Sequence, residues 1–68
     1  MKYFIELTQS ANGNVSVIKR YETESKDTAE TTFFNLIKEA RNGKGDGVRI
    51  LSGKWYDSAD IVETWARW

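Results

Sequence analysis

The spacing of apolar positions changes twice along this chain. From Lys2 to Thr8 it alternates, with Tyr3, Ile5 and Leu7 on one side and Phe4, Glu6 and Thr8 on the other, the two-residue repeat of a strand with one face more apolar than its reverse. Residues Val15 to Tyr21 are β-branched and aromatic, and they follow Asn12-Gly13, a dipeptide suited to tight hairpins. A two-residue Asn-Gly loop would set Leu7 opposite Ile18. A three-residue loop with Gly13 left-handed would set Leu7 opposite Val17 and Tyr3 opposite Tyr21. The second register is preferred, because it gathers Tyr3, Ile5, Leu7, Val15, Val17 and Tyr21 on one face.

The period then becomes helical. Ala29, Phe33, Leu36, Ile37 and Ala40 form one apolar stripe, with Phe34 at its flank. Ser25 or Asp27 can cap the start, Asp27 with Glu30 has the spacing of a capping box, and Lys38 and Arg41 precede Asn42-Gly43 at the stop. A helix from about Lys26 to Arg41 follows. Val48 to Ser52 reads as a third strand, with Ser52-Gly53-Lys54 turning. After Trp55, the residues Ser58 to Trp65 could coil, but Ile61, Val62, Thr64, Trp65 and Trp68 are strand-favouring, and a closing hairpin completes a sheet under the helix. The expectation is one α+β domain over residues 1–68, ββαββ in order. It has a four-stranded, mainly antiparallel sheet with one helix on one face. Its expected core is Tyr3, Ile5, Leu7, Val15, Val17, the helical stripe, Val48, Ile50 and one or two tryptophans.

Length and composition narrow the chemistry. A chain of 68 residues sits near the lower limit for a single unassisted core, so net stability of about 3–5 kcal/mol is expected, with little room for a deep pocket. The sequence has no His, Cys or Pro, which removes disulfides, thiolate metal sites and the commonest general base. Ten basic residues balance ten acidic ones, so no overall field favours nucleic acid or an anionic membrane. The N-terminus lacks an apolar signal-peptide core and no run approaches the length of a membrane span. A cytoplasmic protein is the expectation.

Three groups of residues could carry chemistry. Gly43-Lys44-Gly45-Asp46-Gly47 is glycine-rich like a phosphate loop, but it follows a helix C-terminus instead of opening a helix, and no Ser or Thr follows Lys44; it reads as a cap and connection. Asp57, Asp60 and Glu63 recur every three residues, yet on a strand Asp60 points away from the other two, which makes them a solvated edge. Ser52 near Lys54 has no oxyanion element beside it. No enzyme, metal or cofactor is expected.

The aromatics exceed structural need: nine in all, with Trp55, Tyr56, Trp65 and Trp68 crowded at the end. One helix covers one sheet face, and the opposite face should present Phe4, Ile18, Arg20, Arg49, Leu51 and Trp68, with Val62 beside them. Aromatic and arginine residues on an apolar patch suit a protein interface. The expected function is therefore a non-enzymatic interaction module, a small adaptor, inhibitor or phage-type accessory protein, binding a protein partner or forming a homodimer through the open face or an edge strand. The alternative is single-stranded nucleic acid stacked on sheet aromatics, with Arg20, Arg49 and Arg67 meeting phosphates. The element order is similar to that of many small bacterial and phage proteins, in pattern and without a shared motif, so no residue role is carried over.

Overall fold

Two hairpin arms flank one helix, in a computed structural model that describes residues 1–67. The elements are β1 (Lys2–Ala11), β2 (Asn14–Thr23), α1 (Lys26–Arg41), β3 (Gly47–Gly53) and β4 (Asp60–Ala66), with a 3-10 turn at Tyr56–Ser58 between the last two strands. The four strands form one antiparallel sheet in the order β2-β1-β3-β4. This is the expected ββαββ architecture, and β4 is extended over the segment that could have coiled. Trp68 lies outside the described residues.

Local chemistry accounts for the helix ends. The Ser25 hydroxyl accepts a hydrogen bond from the Thr28 amide, so Ser25 is the N-cap and Asp27 adds charge in the first turn, where the helix dipole favours it. At the other end Gly43 has φ +92° and its amide donates to the Ala40 carbonyl, closing the last turn with the left-handed residue that only glycine adopts without strain. The helix lays Ala29, Phe33, Leu36, Ile37 and Ala40 against Ile5 and Leu7 of β1 and Val48 and Ile50 of β3, with Tyr3 and Trp65 partly buried at the margin.

The first hairpin departs from the expected register. Asn12 (φ 53°) and Gly13 (φ 82°) form a two-residue loop, and Ala11 pairs with Asn14. Continued unbroken, that register would set Arg20 opposite Ile5 and Glu22 opposite Tyr3, beneath the helix. A bulge prevents this. Ile18 is the extra residue, so Thr8 pairs with Val17 while Leu7 pairs with Lys19 and Ile5 with Tyr21. The odd-numbered residues of β2 consequently change face at the bulge. Tyr21 lies on the helix side, but Val15 and Val17 lie on the reverse and are 58% and 43% exposed, which removes both from the expected core.

A second bulge interrupts β4. Ile50 pairs with Glu63 and Leu51 with Ile61, leaving Val62 as the extra residue. Because of it, Asp60, opposite Ser52, and Glu63 share the helix-side face, where simple alternation would have separated them. Among the described residues no three potential metal-ligating side chains cluster. No helix is long and apolar enough to cross a membrane, again among the described residues.

Candidate functional site

The sheet face opposite the helix is laid out in rows by cross-strand pairing. The first row runs Glu22, Phe4, Leu51, Ile61; the second Arg20, Glu6, Arg49, Thr64; the third begins Val17, Thr8, Gly47 and ends at Ala66. The inner members of the first two rows are covered. The 3-10 turn after β3 folds Tyr56 back over them, with its ring edge-on to Phe4 at a centroid separation of 5.5 Å and the Arg20 guanidinium 4.2 Å above it.

At the centre of this cover sits Glu6, whose exposure is 0%. One carboxylate oxygen accepts from Arg49 Nε at 2.5 Å and the other accepts from the Tyr56 hydroxyl. Glu6 is thus paired and hydrogen-bonded on both oxygens, the condition under which a carboxylate tolerates burial. The same contact raises the Arg49 guanidinium above its ordinary pKa, the hydrogen bond to Glu6 outweighing the opposing effect of burial.

This arrangement corrects the expected open face. Phe4 and Leu51 do lie on the side away from the helix, but Tyr56 and the flanking side chains leave them only 2% and 8% exposed. Arg20 and Arg49 are held by Tyr56 and Glu6 instead of standing free. Ile18 is exposed, as expected; Val62 is exposed too, but as the bulge residue it lines a cleft beside Tyr3 and Lys26 on the helix side and not the face where it was expected. Sequence reasoning counted Tyr56 among surplus aromatics and took Glu6 for an outward charge. A signal was present: Tyr3-Phe4-Ile5 is a continuous apolar run, the mark of a central strand covered on both faces.

The third row has nothing over it. Thr8, Gly47 and Ala66 are small, and they floor a trough of about 310 Å³ whose walls include Val15 and Ile61, with Arg49 and Thr64 at its inner end. A Cβ at Gly47 would lie 2.7 Å from the Thr8 hydroxyl, so a side chain there would require Thr8 to shift. The loop before it is tied down. Asp46 accepts from the Ser10 amide at 3.2 Å and from the Gln9 side chain, and its own amide donates to the Thr8 carbonyl. Gly45, at φ +105°, lies against the Thr8 carbonyl and Leu7. The glycine-rich run therefore seals the end of the sheet, and Arg67 joins it by donating to the carbonyls of Ala40 and Asp46.

On the helix side, Lys19 and Glu39 form a 2.7 Å ion pair that clips β2 to α1. Their hydrogen bond holds the Glu39 carboxyl below the usual range and the Lys19 ammonium above it. Comparison with known proteins adds nothing to the geometry: no family model, no curated protein and no solved structure matches this chain.

Proposed function

We propose that this chain is a non-enzymatic, cytoplasmic protein-interaction module, of the small adaptor, inhibitor or phage-type accessory kind. It docks a protein partner or a second copy of itself through the half of the sheet that Tyr56 leaves uncovered and the adjoining β2 edge. The observation that carries the reading is the contrast between the two halves of one face. Under Tyr56, Glu6 is hydrogen-bonded and Phe4 and Leu51 are buried; beside it, Val15 and Ile61 stand exposed along the trough, with Val17 and Ile18 exposed on the same strand as Val15. Apolar groups grouped at the rim of a concave surface, bordered by hydroxyls and the arginines Arg49 and Arg67, suit a protein contact.

Of the residues first singled out, Ile18 belongs to this surface directly. Phe4 and Leu51 lie under Tyr56, and Arg20 and Arg49 fix the Tyr56 cover that bounds it. Single-stranded nucleic acid has less support. Arg20 stacks on Tyr56, Arg49 pairs with Glu6, Arg67 donates to the Ala40 carbonyl, and the Phe4 ring is covered, so the arginines and the sheet ring expected to meet phosphates and bases are engaged within the fold.

The test is comparative capture. Immobilised parent protein, a Val17→Asp/Ile61→Asp variant and a Phe34→Ser variant altered on the exposed helix flank are exposed to host extract. The reading expects proteins retained by the parent and by Phe34→Ser but lost from the trough variant. Equal retention by all three, with melting curves unchanged, overturns it.

A further inference from the structure

We propose that the β2 edge is occupied by a second copy of this chain, paired antiparallel β2 to β2 about a two-fold axis through Tyr21. This deepens the interaction reading above and rests on it.

β2 is an outer strand, with β1 on one side and no strand on the other. Its bulge at Ile18 spoils the ladder there, but Lys19 to Thr23 beyond it pairs regularly with β1. In this stretch Arg20 and Glu22 lie opposite Glu6 and Phe4, on the face away from the helix, while Lys19, Tyr21 and Thr23 lie on the helix face. A symmetric antiparallel pair keeps each side chain on its own face only when one residue meets itself on the axis. Five centres use this stretch. Lys19 or Arg20 on the axis sets like cations together, Glu22 sets carboxylates together, and Thr23 sets Glu22 of each copy opposite Glu24 of the other. Tyr21 alone among them sets Arg20 of each copy opposite Glu22 of the other, giving two pairs of unlike charge.

The opposite edge lacks this property. The formal charges of β4 are Asp60 and Glu63, both negative, so two copies of β4 repel in any close register. A second feature agrees with the Tyr21 centre. The ring is 46% exposed beside an open cleft between β2 and α1 formed with Thr32, Asn35, Leu36 and Glu39, and the two-fold brings two such rings together at that cleft. The product is a continuous eight-stranded sheet with both helices on one side. Five residues of ladder make a small contact, so the dimer is of the weak, concentration-dependent class.

The absence of cysteine makes the register readable, because one introduced thiol is the only one in the chain. Residues directly opposite across an antiparallel pair bring their Cβ atoms within disulfide reach. Tyr21→Cys is expected to form a disulfide dimer under mild oxidation much faster than Ser16→Cys, on the same strand before the bulge. Sedimentation of the parent is expected to shift from one-chain to two-chain mass as concentration rises, and Glu22→Lys to weaken that association about tenfold. A parent that stays at one-chain mass, equal crosslinking at both positions, or growth into open polymers through β2 against β4 overturns the proposal. The capture experiment reads other proteins through trough variants, so self-pairing can fail while the interaction reading stands, and the reverse.

Discussion

Tyr56 donates its hydroxyl hydrogen bond to Glu6 across fifty positions of sequence, and in doing so converts half of an open sheet face into a second, smaller core. The first core is aliphatic and lies under the helix. The second joins Phe4 and Leu51 to a carboxylate, two guanidinium groups and a phenol. Removing the Tyr56 hydroxyl while keeping the ring should separate these parts. Tyr56→Phe is expected to lose about 1–3 kcal/mol in urea unfolding, since Glu6 keeps Arg49 but loses its other partner. Tyr56→Ala, which also uncovers Phe4, is expected to lose more. A Tyr56→Phe protein as stable as the parent would show that the hydroxyl contributes nothing.

Phe4→Ala tests the same core from the strand side. The ring is buried, and its truncation is expected to destabilise the fold by about 3–5 kcal/mol. That is comparable with the whole stability expected of a chain this short. Val17→Ala, in contrast, should change stability by no more than about 0.5 kcal/mol, because Val17 lies outside either core. Denaturant midpoints of the two variants therefore report the register of the first hairpin.

The glycine-rich loop can be separated into tolerant and intolerant positions. Gly43 and Gly45 both have positive φ, but a Cβ at Gly43 meets open space while one at Gly45 would lie 2.8 Å from the Thr8 carbonyl oxygen. Gly43→Ala is expected to cost about 1 kcal/mol, from conformation alone. Gly45→Ala carries that strain and a backbone collision as well, and should leave the chain largely unfolded. Circular dichroism at room temperature distinguishes them.

The clip between β2 and α1 predicts a pH response at both ends of the scale. Glu39 has a lowered pKa, so its contribution is present above the usual carboxylate range and is lost as pH falls through its depressed value. Lys19 has a raised pKa, so its contribution is present below the usual lysine range and is lost as pH rises through its elevated value. Lys19→Met should therefore flatten the fall of melting temperature on acidification from weakly to strongly acid pH. Unchanged steepness would mean that solvent already screens the pair.

How far the sequence foretold this structure differs by element, for physical reasons. The helix was legible from Lys26 to Arg41 because its stripe, caps and stop are all local. The strands were legible as strands, and the sheet with its single helix followed from their order. The side assigned to Val15 and Val17 was not, because the two-residue loop sets them opposite Ser10 and Thr8, and the extra residue at Ile18 that returns Tyr21 to the helix side leaves no mark on alternation. Val62 did the same to Asp60 and Glu63. The burial of Glu6 depended on Tyr56 arriving from a short 3-10 turn, a tertiary event that propensity does not encode. The face that Phe4, Arg20, Arg49 and Leu51 share was readable; what lies over it was not.

The order β2-β1-β3-β4 also has a consequence for synthesis. β1 leaves the ribosome before its inner neighbour β3, which is separated from it by the length of a hairpin arm and a helix, with Ile5 finally meeting Ile50. Until β3 emerges, the β1–β2 arm leaves the inner edge of β1 unpaired and Phe4 without its Tyr56 cover, and a product stalled there is the species most prone to aggregate.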